Sequence, residues 1–492
     1  MWELVALPPG KKPLTSKWVF RTKVDGDGTS SEKARIIARG FEQVQGIDFQ
    51  EIFAPMICNK SLHTLLAIEA CQDLEIHQLD LKTAFLNGTL KEDVYMVQPK
   101  GFENPMFPHL VCKLHKTLYG LRQAPREWYE EIKLTFGSMG LISNAYDGAV
   151  FIGKIDEMVV IIGLYVDDML VMAKTLSAVN QAKKLIASHY DIKDLGEVKF
   201  ILGMRVSRNR EKREITISQA EYIDKIVSKF DMSTAKPISL PIKRNLNLWP
   251  RENVSAAELD HLSLLPYRQL IGCMMYLMTA SRPDIAFALG KLSRYLATYT
   301  ERHWQAAKDV LRYLKGTRDI SLTYNGRNGV IAWGMADSDF IDHDEDAKST
   351  MGYIITVVAG GAVAWQSTLQ SITAKSTAEV EYMAVGEAAS DIVWLRGFLG
   401  ELGFAQSCAT VLEEDNQPCM AIALNDVQHF KTKHIKKEYH FIRDYIKNKE
   451  LIMQYVPSAE QGADAMTKPP TKQTLQLLYR KAGLTVPNGQ EC

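Results

Sequence analysis

Between residues 146 and 174 the chain alternates apolar runs with very short polar breaks. Residues 150–153, 159–166 and 169–173 each predict a strand, and only Asp167-Asp168 separates the last two. That spacing predicts a tight hairpin with two acids at its tip. Upstream, residues 17–21 and 34–39 predict paired strands around the turn signal Asp25-Gly26-Asp27-Gly28. Residues 60–72 predict a helix whose apolar positions are Leu62, Leu65, Leu66 and Ile68, and residues 76–81 predict a strand ending beside Asp80. A helix is predicted over 176–190, then a hairpin of residues 200–207 and 214–218 around a charged turn. From 219 to 316 the pattern is mainly helical, interrupted by a proline-bearing stretch at 237–250.

Gly316, Gly326, Asn325 and Asn328 suggest a linker at 316–329. A new unit is predicted after it. Strands are expected at 330–337, 351–358 and 361–366, then a long helix over 376–402 with Met383, Ile392, Leu395, Phe398 and Leu402 apolar. A strand at 409–414, helices, a strand at 451–456 and a short helix at 460–468 complete it. This order predicts an α/β domain with a mixed sheet. The tail after Pro470 is expected to have no core role.

Composition narrows little. The 492 residues are 46% hydrophobic and 24% charged, with 58 basic and 58 acidic side chains. A polyanion partner therefore needs a local basic surface rather than bulk charge. Seven cysteines are scattered without a C-x-x-C pair, which argues against a disulfide framework or a zinc ribbon. The apolar run 158–166 is far shorter than the ~20 residues that span a bilayer, and the N-terminus has no signal-peptide pattern.

Two groups of acids carry the candidate chemistry. Asp80 ends a mostly apolar strand, and Asp167 and Asp168 cap the hairpin. Carboxylates at the ends of buried strands are costly unless a cation compensates them. Two divalent ions held by oxygen ligands would suit phosphoryl transfer. Asp-Asp is also ordinary turn chemistry, so the residues alone leave both readings open. The second group is Asp337, Glu381, Asp415 and Asp464. If the strands before Asp337 and Asp415 are neighbours, their carboxyl ends converge. Taken singly, each acid is more often a cap or a surface charge than a metal ligand, and Asp339 and Glu379 compete for two of the places.

The surrounding motifs add a resemblance. Gln78-Leu79-Asp80-Leu81-Lys82-Thr83-Ala84-Phe85, Leu118-Tyr119-Gly120-Leu121-Arg122-Gln123-Ala124-Pro125 and Tyr165-Val166-Asp167-Asp168 resemble the reverse transcriptase of copia-type LTR retrotransposon Pol polyproteins. Ala336-Asp337-Ser338-Asp339, Ser376-Thr377-Ala378-Glu379-Val380-Glu381, Asp415-Asn416-Gln417 and Ala463-Asp464-Ala465-Met466-Thr467-Lys468 are similar to the RNase H domain of the same elements. The resemblance covers about residues 2–470.

It implies a fold that is α/β and α+β: a right-hand polymerase of fingers, palm and thumb, followed by an RNase H-like mixed-sheet domain. The implied domains are fingers and palm over 1–235, a helical thumb and connection over 236–328, RNase H over 329–470 and a C-terminal tail over 471–492. Asp80, Asp167 and Asp168 would hold one pair of Mg2+ or Mn2+ ions, and Asp337, Glu381, Asp415 and Asp464 another. Lys33 and Arg35 would reach the triphosphate, with a solvated strand face as the other reading of Lys33. Phe85 would act as the gate against a ribose 2′ hydroxyl, with core packing as its other reading. Gln123, Ala124 and Pro125 would line the nucleotide pocket, and Leu202, Gly203 and Met204 would form the primer grip.

The implied activities are RNA- and DNA-directed DNA synthesis and cleavage of RNA in RNA–DNA hybrids. The alternative is a truncated or domesticated, catalytically weak copy that keeps the fold and nucleic-acid binding. Implied partners are an RNA template, a DNA primer, an RNA–DNA hybrid and dNTPs, with no membrane. The implied location is the cytoplasm, in the virus-like particle of the parent element, with the nucleus second and secretion excluded. No protease, gag-like or integrase segment precedes residue 1, so a fragment, a processed product or a truncated gene model is expected, with integrase and gag elsewhere.

Lys431, Lys433, Lys436, Lys437 and Arg443 read equally as phosphate contacts or a solvated helix face. Three positions depart from the family pattern. Cys58 and His63 stand where basic residues are expected, which would weaken a triphosphate or template contact. Glu414 adds a carboxylate beside Asp415 and is expected to raise a neighbour's pKa or disturb a metal site.

Overall fold

The computed structural model describes residues 1–24, 30–244, 246, 248–251, 255–340, 348–357, 360–371, 373, 376–424 and 441–486. The predicted turn at 25–28 and the lysines of 431–437 lie outside them. The chain forms two compact units. One comprises Met1–Ile57 and Glu75–Glu197, the other Cys58–Leu74 and Val198–Cys492. The last division between them falls at Glu197/Val198.

The first unit contains three sheets. Strand β1 (Trp2–Val5) forms one edge of a three-stranded sheet, while β2 (Ser16–Val24) and β3 (Ser30–Ala38) form a two-stranded ribbon. The six-stranded sheet carries β4 (Glu75–Leu81) near one edge. Strands β5 (Thr89–Met96) and β6 (Val111–Lys116) complete the three-stranded sheet in the order β1-β6-β5. Strands β7 (Leu141–Ser143), β8 (Val150–Ile155), β9 (Met158–Tyr165), β10 (Asp168–Ala173) and β11 (Ile192–Glu197) give the larger sheet the order β11-β4-β10-β9-β8-β7. Every pairing in it is antiparallel.

The predicted hairpin is present with one adjustment. Asp168 begins the returning strand, so the turn is Val166-Asp167, with Val166 in the left-handed region at φ 57°. A β-branched residue rarely adopts that conformation. Here the Trp128 indole N–H donates to the Val166 carbonyl at 2.8 Å and holds the turn. The Trp128 ring is itself buried, on the helix Ala124–Ser138.

The second unit contains two sheets and the helix Asn59–Gln72. Strands β12 (Phe200–Ile201), β13 (Met204–Asn209), β14 (Glu214–Ser218) and β15 (Ser321–Asn325) are consecutive neighbours in an antiparallel sheet. Strands β16 (Ala332–Asp339), β17 (Thr350–Val357), β18 (Ala362–Leu369), β19 (Thr410–Glu414) and β20 (Leu451–Tyr455) build the predicted mixed sheet, in the order β18-β17-β16-β19-β20. Pairs β16–β19 and β19–β20 are parallel. The helix Thr377–Glu401 packs on β16 and β17. Strand β21 (Leu484–Thr485) closes the first of these sheets beside β15.

Two expectations are overturned. Residues 316–329 are not a linker: β15 lies within a sheet, and Leu322 and Tyr324 are fully buried. The residues after Pro470 are not without a core role. The helix Lys472–Ala482 buries Leu475, Leu478 and Tyr479, and its Tyr479 hydroxyl meets that of the buried Tyr313. Among the described residues, no helix is long and apolar enough to cross a membrane.

Candidate active sites

The first group of acids is assembled by register. Asp80 on β4 stands directly opposite Asp168 on β10, and the Leu81 amide donates to the Asp167 carbonyl at 2.8 Å. Like charges facing each other across a ladder are destabilising by themselves. Gln78 Nε2 donates to Asp168 Oδ1 at 3.0 Å and offsets part of that cost. Burial pushes both Asp167 and Asp168 above the usual carboxylate range. The neighbouring acids add to this, while Arg35 and Lys33 pull Asp167 back.

Asp80 and Asp167 open into a cavity of about 490 Å3 that is also lined by Lys33, Arg35, Trp18, Leu118 and Tyr119. Lys33 and Arg35 thus stand where an anionic ligand would meet the acids. Phe85 is partly buried in a short 3-10 helix, Ala84–Asn87, and does not line this cavity. Nor do Gln123, Ala124 or Pro125. Gln123 is buried: its Nε2 donates to the Asp48 carbonyl at 2.8 Å, and its Oε1 accepts from Gln43 at 2.9 Å. Its amide is used to tie loops together.

Leu202 and Gly203 form the turn between β12 and β13 in the other unit, and Met204 begins β13. Leu202 (φ 49°) and Gly203 (φ 77°) are both left-handed, and the Tyr276 hydroxyl donates to the Leu202 carbonyl. His63 is no surface contact. It lies 1% exposed in the second unit, stacked on Trp365 with ring centroids 5.2 Å apart, its Nε2 2.9 Å from the Ala280 carbonyl. Burial lowers its pKa to about 4.

The second group is tighter. Asp337 lies on β16, Glu381 on the helix Thr377–Glu401, and Asp415 just past β19. Each offers a carboxylate oxygen, and the three oxygens lie within 4.8 Å of one another. Among the described residues no other three His, Cys, Asp or Glu side chains meet this condition. Asp80, Asp167 and Asp168 are adjacent but less closely gathered. Asp464 is outside the trio, in the 3-10 helix Gly462–Met466, and Lys468 pairs with it.

Burial raises Asp337 to about 7, reinforced by Asp464 and Asp415 and opposed by a hydrogen bond from the Thr467 hydroxyl. Burial likewise raises Glu381 to about 11, with the charges of Asp337, Glu414 and Asp415 adding to it. Glu414 is thus one of the charges that raise Glu381. It is fully buried, accepting the Asn416 amide at 3.0 Å on one oxygen. Glu381 Oε2 is buried with no hydrogen-bond partner among the described residues. An orphaned carboxylate oxygen inside an all-oxygen cluster fits a hard divalent cation.

The sequence model of the family described as reverse transcriptase (RNA-dependent DNA polymerase) matches residues 1–244. The putative transposon Ty5-1 protein of Saccharomyces cerevisiae is 31% identical over 315 residues, 64% of this chain and 100% of that protein. The chain belongs to the copia-type retrotransposon Pol family. The Pol polyprotein of transposon TNT 1-94 from Nicotiana tabacum is 40% identical over 98% of this chain and 36% of its own length. That of transposon RE1 from Arabidopsis thaliana is 32% identical over 98% of this chain and 32% of its own. The chain thus spans about a third of the length of these plant relatives. Among solved structures, the foamy viral protease-reverse transcriptase dRH in complex with ds DNA matches at 11% identity, covering 95% of this chain and 68% of that one, with a TM-score of 0.23. Membership of the family rests on the sequence matches.

The signals missed in the sequence were modest ones. Tyr119, inside the Leu118 to Pro125 motif, lines the cavity, and its place beside Gly120 is the local signal for it. Lys468, four residues after Asp464, has the helical spacing of an ion pair.

Proposed function

We propose that this Pol-family chain is an RNA- and DNA-directed DNA polymerase that also cleaves the RNA strand of RNA–DNA hybrids. The observation that carries the reading is the presence of two separate groups of converging acids, one beside a cationic cavity and one in the mixed sheet. Asp80, Asp167 and Asp168 would hold metal in the first, and Asp337, Glu381, Asp415 and Asp464 in the second. Magnesium or manganese, two ions per site, would supply the charge that activates a hydroxyl or water and stabilises the leaving oxygen.

The chain's own residues do the rest. Lys33 and Arg35 bind the triphosphate of a dNTP beside Asp167, and a bidentate guanidinium suits that task. Gln78 orients Asp168, and Thr467 orients Asp337. Lys468 holds Asp464 until substrate arrives. Fingers and palm would lie within 1–235, a thumb and connection within 236–328, and RNase H within 329–470. Leu202 to Met204 would support the primer. Template RNA, primer DNA and hybrid are the partners proposed, in the cytoplasmic particle of a parent element.

One observation favours a catalytically weak copy instead: the acids of the first group are less closely gathered than those of the second. The burial of His63 removes another argument for that reading, because a core residue is not a lost phosphate contact. Primer extension on a poly-rA template with Mg2+, run beside a hybrid-cleavage assay, separates the two readings. The parent is expected to perform both reactions. Asp415→Asn is expected to lower hybrid cleavage by at least about a hundredfold while leaving extension within a factor of two. Cleavage that survives this change would reject the second site.

A further inference from the structure

Gln461 is 1% exposed, and its side chain meets the segments that carry Asp337, Asp415 and Asp464. Its Nε2 donates to the Ala336 carbonyl at 2.8 Å, on β16 immediately before Asp337. A longer contact of 3.5 Å runs from the same nitrogen to the Glu413 carbonyl, on β19 shortly before Asp415. Its Oε1 accepts the Ala463 amide at 3.2 Å and so caps the 3-10 helix Gly462–Met466, which carries Asp464. The main chain adds to this, because the Gln461 carbonyl accepts the Asp464 amide at 3.4 Å.

Strands β16 and β19 pair in parallel from Trp333–Val411 to Met335–Glu413, and among the described residues their ladder goes no further. One row on, the Gln461 amide stands in for it. A side-chain amide between two strands holds them wider apart than a direct backbone bond, and a crevice at the carboxyl ends of strands is where open α/β sheets bind ligands. Asp337, Glu381 and Asp415 bring carboxylate oxygens within 4.8 Å of one another there. The Gln461–Gly462 segment is tightly seated. A Cβ on Gly462 would lie 2.8 Å from Met335 Sδ and 3.0 Å from Lys481 Cβ. Lys481 in turn pairs with the two Glu413 carboxylate oxygens at 3.0 and 2.8 Å. A buried amide whose donor and acceptor are both engaged has a fixed orientation.

We infer that Gln461 is a positioning residue for the second site: its amide spaces the carboxyl ends of β16 and β19 and seats Asp464 against them, so that the acids are held ready for a divalent cation. The inference rests on the hybrid-cleavage reading. Gln461 touches neither substrate nor metal and acts only through the acids, as outer-shell partners of metal ligands do.

The test is Gln461→Met, which keeps the length of the side chain and removes its hydrogen bonds. Mn2+ binding is followed by the EPR signal of the free ion, with Asp415→Asn as the blank for the second group. Hybrid cleavage and primer extension are measured on the same samples. The variant is expected to bind Mn2+ at the second group about 10-fold more weakly and to need about 10-fold more Mn2+ for half-maximal cleavage. KM for the hybrid and the rate of extension should stay within about a factor of two of the parent. A residue needed only for folding would lower the melting temperature and the amplitude of cleavage and leave the Mn2+ midpoint in place. If the methionine variant melts below the assay temperature, Gln461→Asn replaces it, since it keeps the amide but is one methylene shorter, and the same shift is expected. An unchanged Mn2+ midpoint in a folded variant, or failure of both variants to fold, would overturn the inference. A parent that binds Mn2+ at the second group but cleaves no hybrid would overturn the cleavage reading, while the binding shift still decides the role of Gln461.

Discussion

Asp167→Asn is expected to reduce primer extension by at least about a thousandfold while hybrid cleavage stays within a factor of two of the parent. The change is isosteric. It removes one charge from a turn whose backbone is held by the Trp128 indole and by the Leu81 amide, and neither contact uses the Asp167 carboxylate. The turn should therefore keep its shape. Without bound metal the variant should unfold at the same or a slightly higher temperature than the parent, because burial and Asp80 both disfavour the ionised side chain there. Loss of activity without loss of stability is the signature of a group kept for chemistry rather than packing. Extension within a few-fold of the parent would remove Asp167 from the site.

The second large effect is a pH dependence of stability that metal should cancel. Asp337 is raised to about 7 and Glu381 to about 11, both first by burial. Their folded values lie above their unfolded ones, so each contributes stability that is full below about pH 4 and is lost as pH rises through the folded value. In EDTA, the second unit is expected to melt on the order of 5–10 °C lower at pH 8 than at pH 5. Mg2+ replaces the lost protons, so the decline should flatten in its presence, and metal affinity should rise with pH. Asp337→Asn removes one of the two raised acids and should remove a large part of the slope in EDTA. Identical melting curves with EDTA and with Mg2+ at pH 8 would contradict this account.

Much of this architecture was legible along the chain because its signals are local. The Asp167-Asp168 hairpin is announced by two apolar runs with a two-residue break. The mixed sheet is announced by three strands, a 25-residue helix and a further strand. Register then delivered what spacing alone had left open. Pairing of β4 with β10 sets Asp80 against Asp168, and the parallel pairing of β16 with β19 brings Asp337 and Asp415 together.

The misreadings have long-range causes. His63 is held by Ala280, 217 residues away, and stacked on Trp365, so nothing near it in sequence marks it as core. Gln123 faces Gln43 and Asp48 across 80 and 75 residues, and its motif gave no sign that its amide is satisfied internally. Strand β15 has only five residues and is flanked by turn formers, which hid the buried Leu322 and Tyr324. The helix Lys472–Ala482 was readable. Thr471 and Thr474 form a capping box, and Leu475, Leu478 and Ala482 keep helical spacing on its buried face.

Anomalous diffraction from crystals soaked in Mn2+ addresses both centres at once. Manganese peaks are expected about 2.1 Å from the carboxylate oxygens of Asp80 and Asp167 or Asp168, and a second set among Asp337, Glu381 and Asp415. Peaks confined to other surface acids, with both groups bare at millimolar Mn2+, would contradict the account.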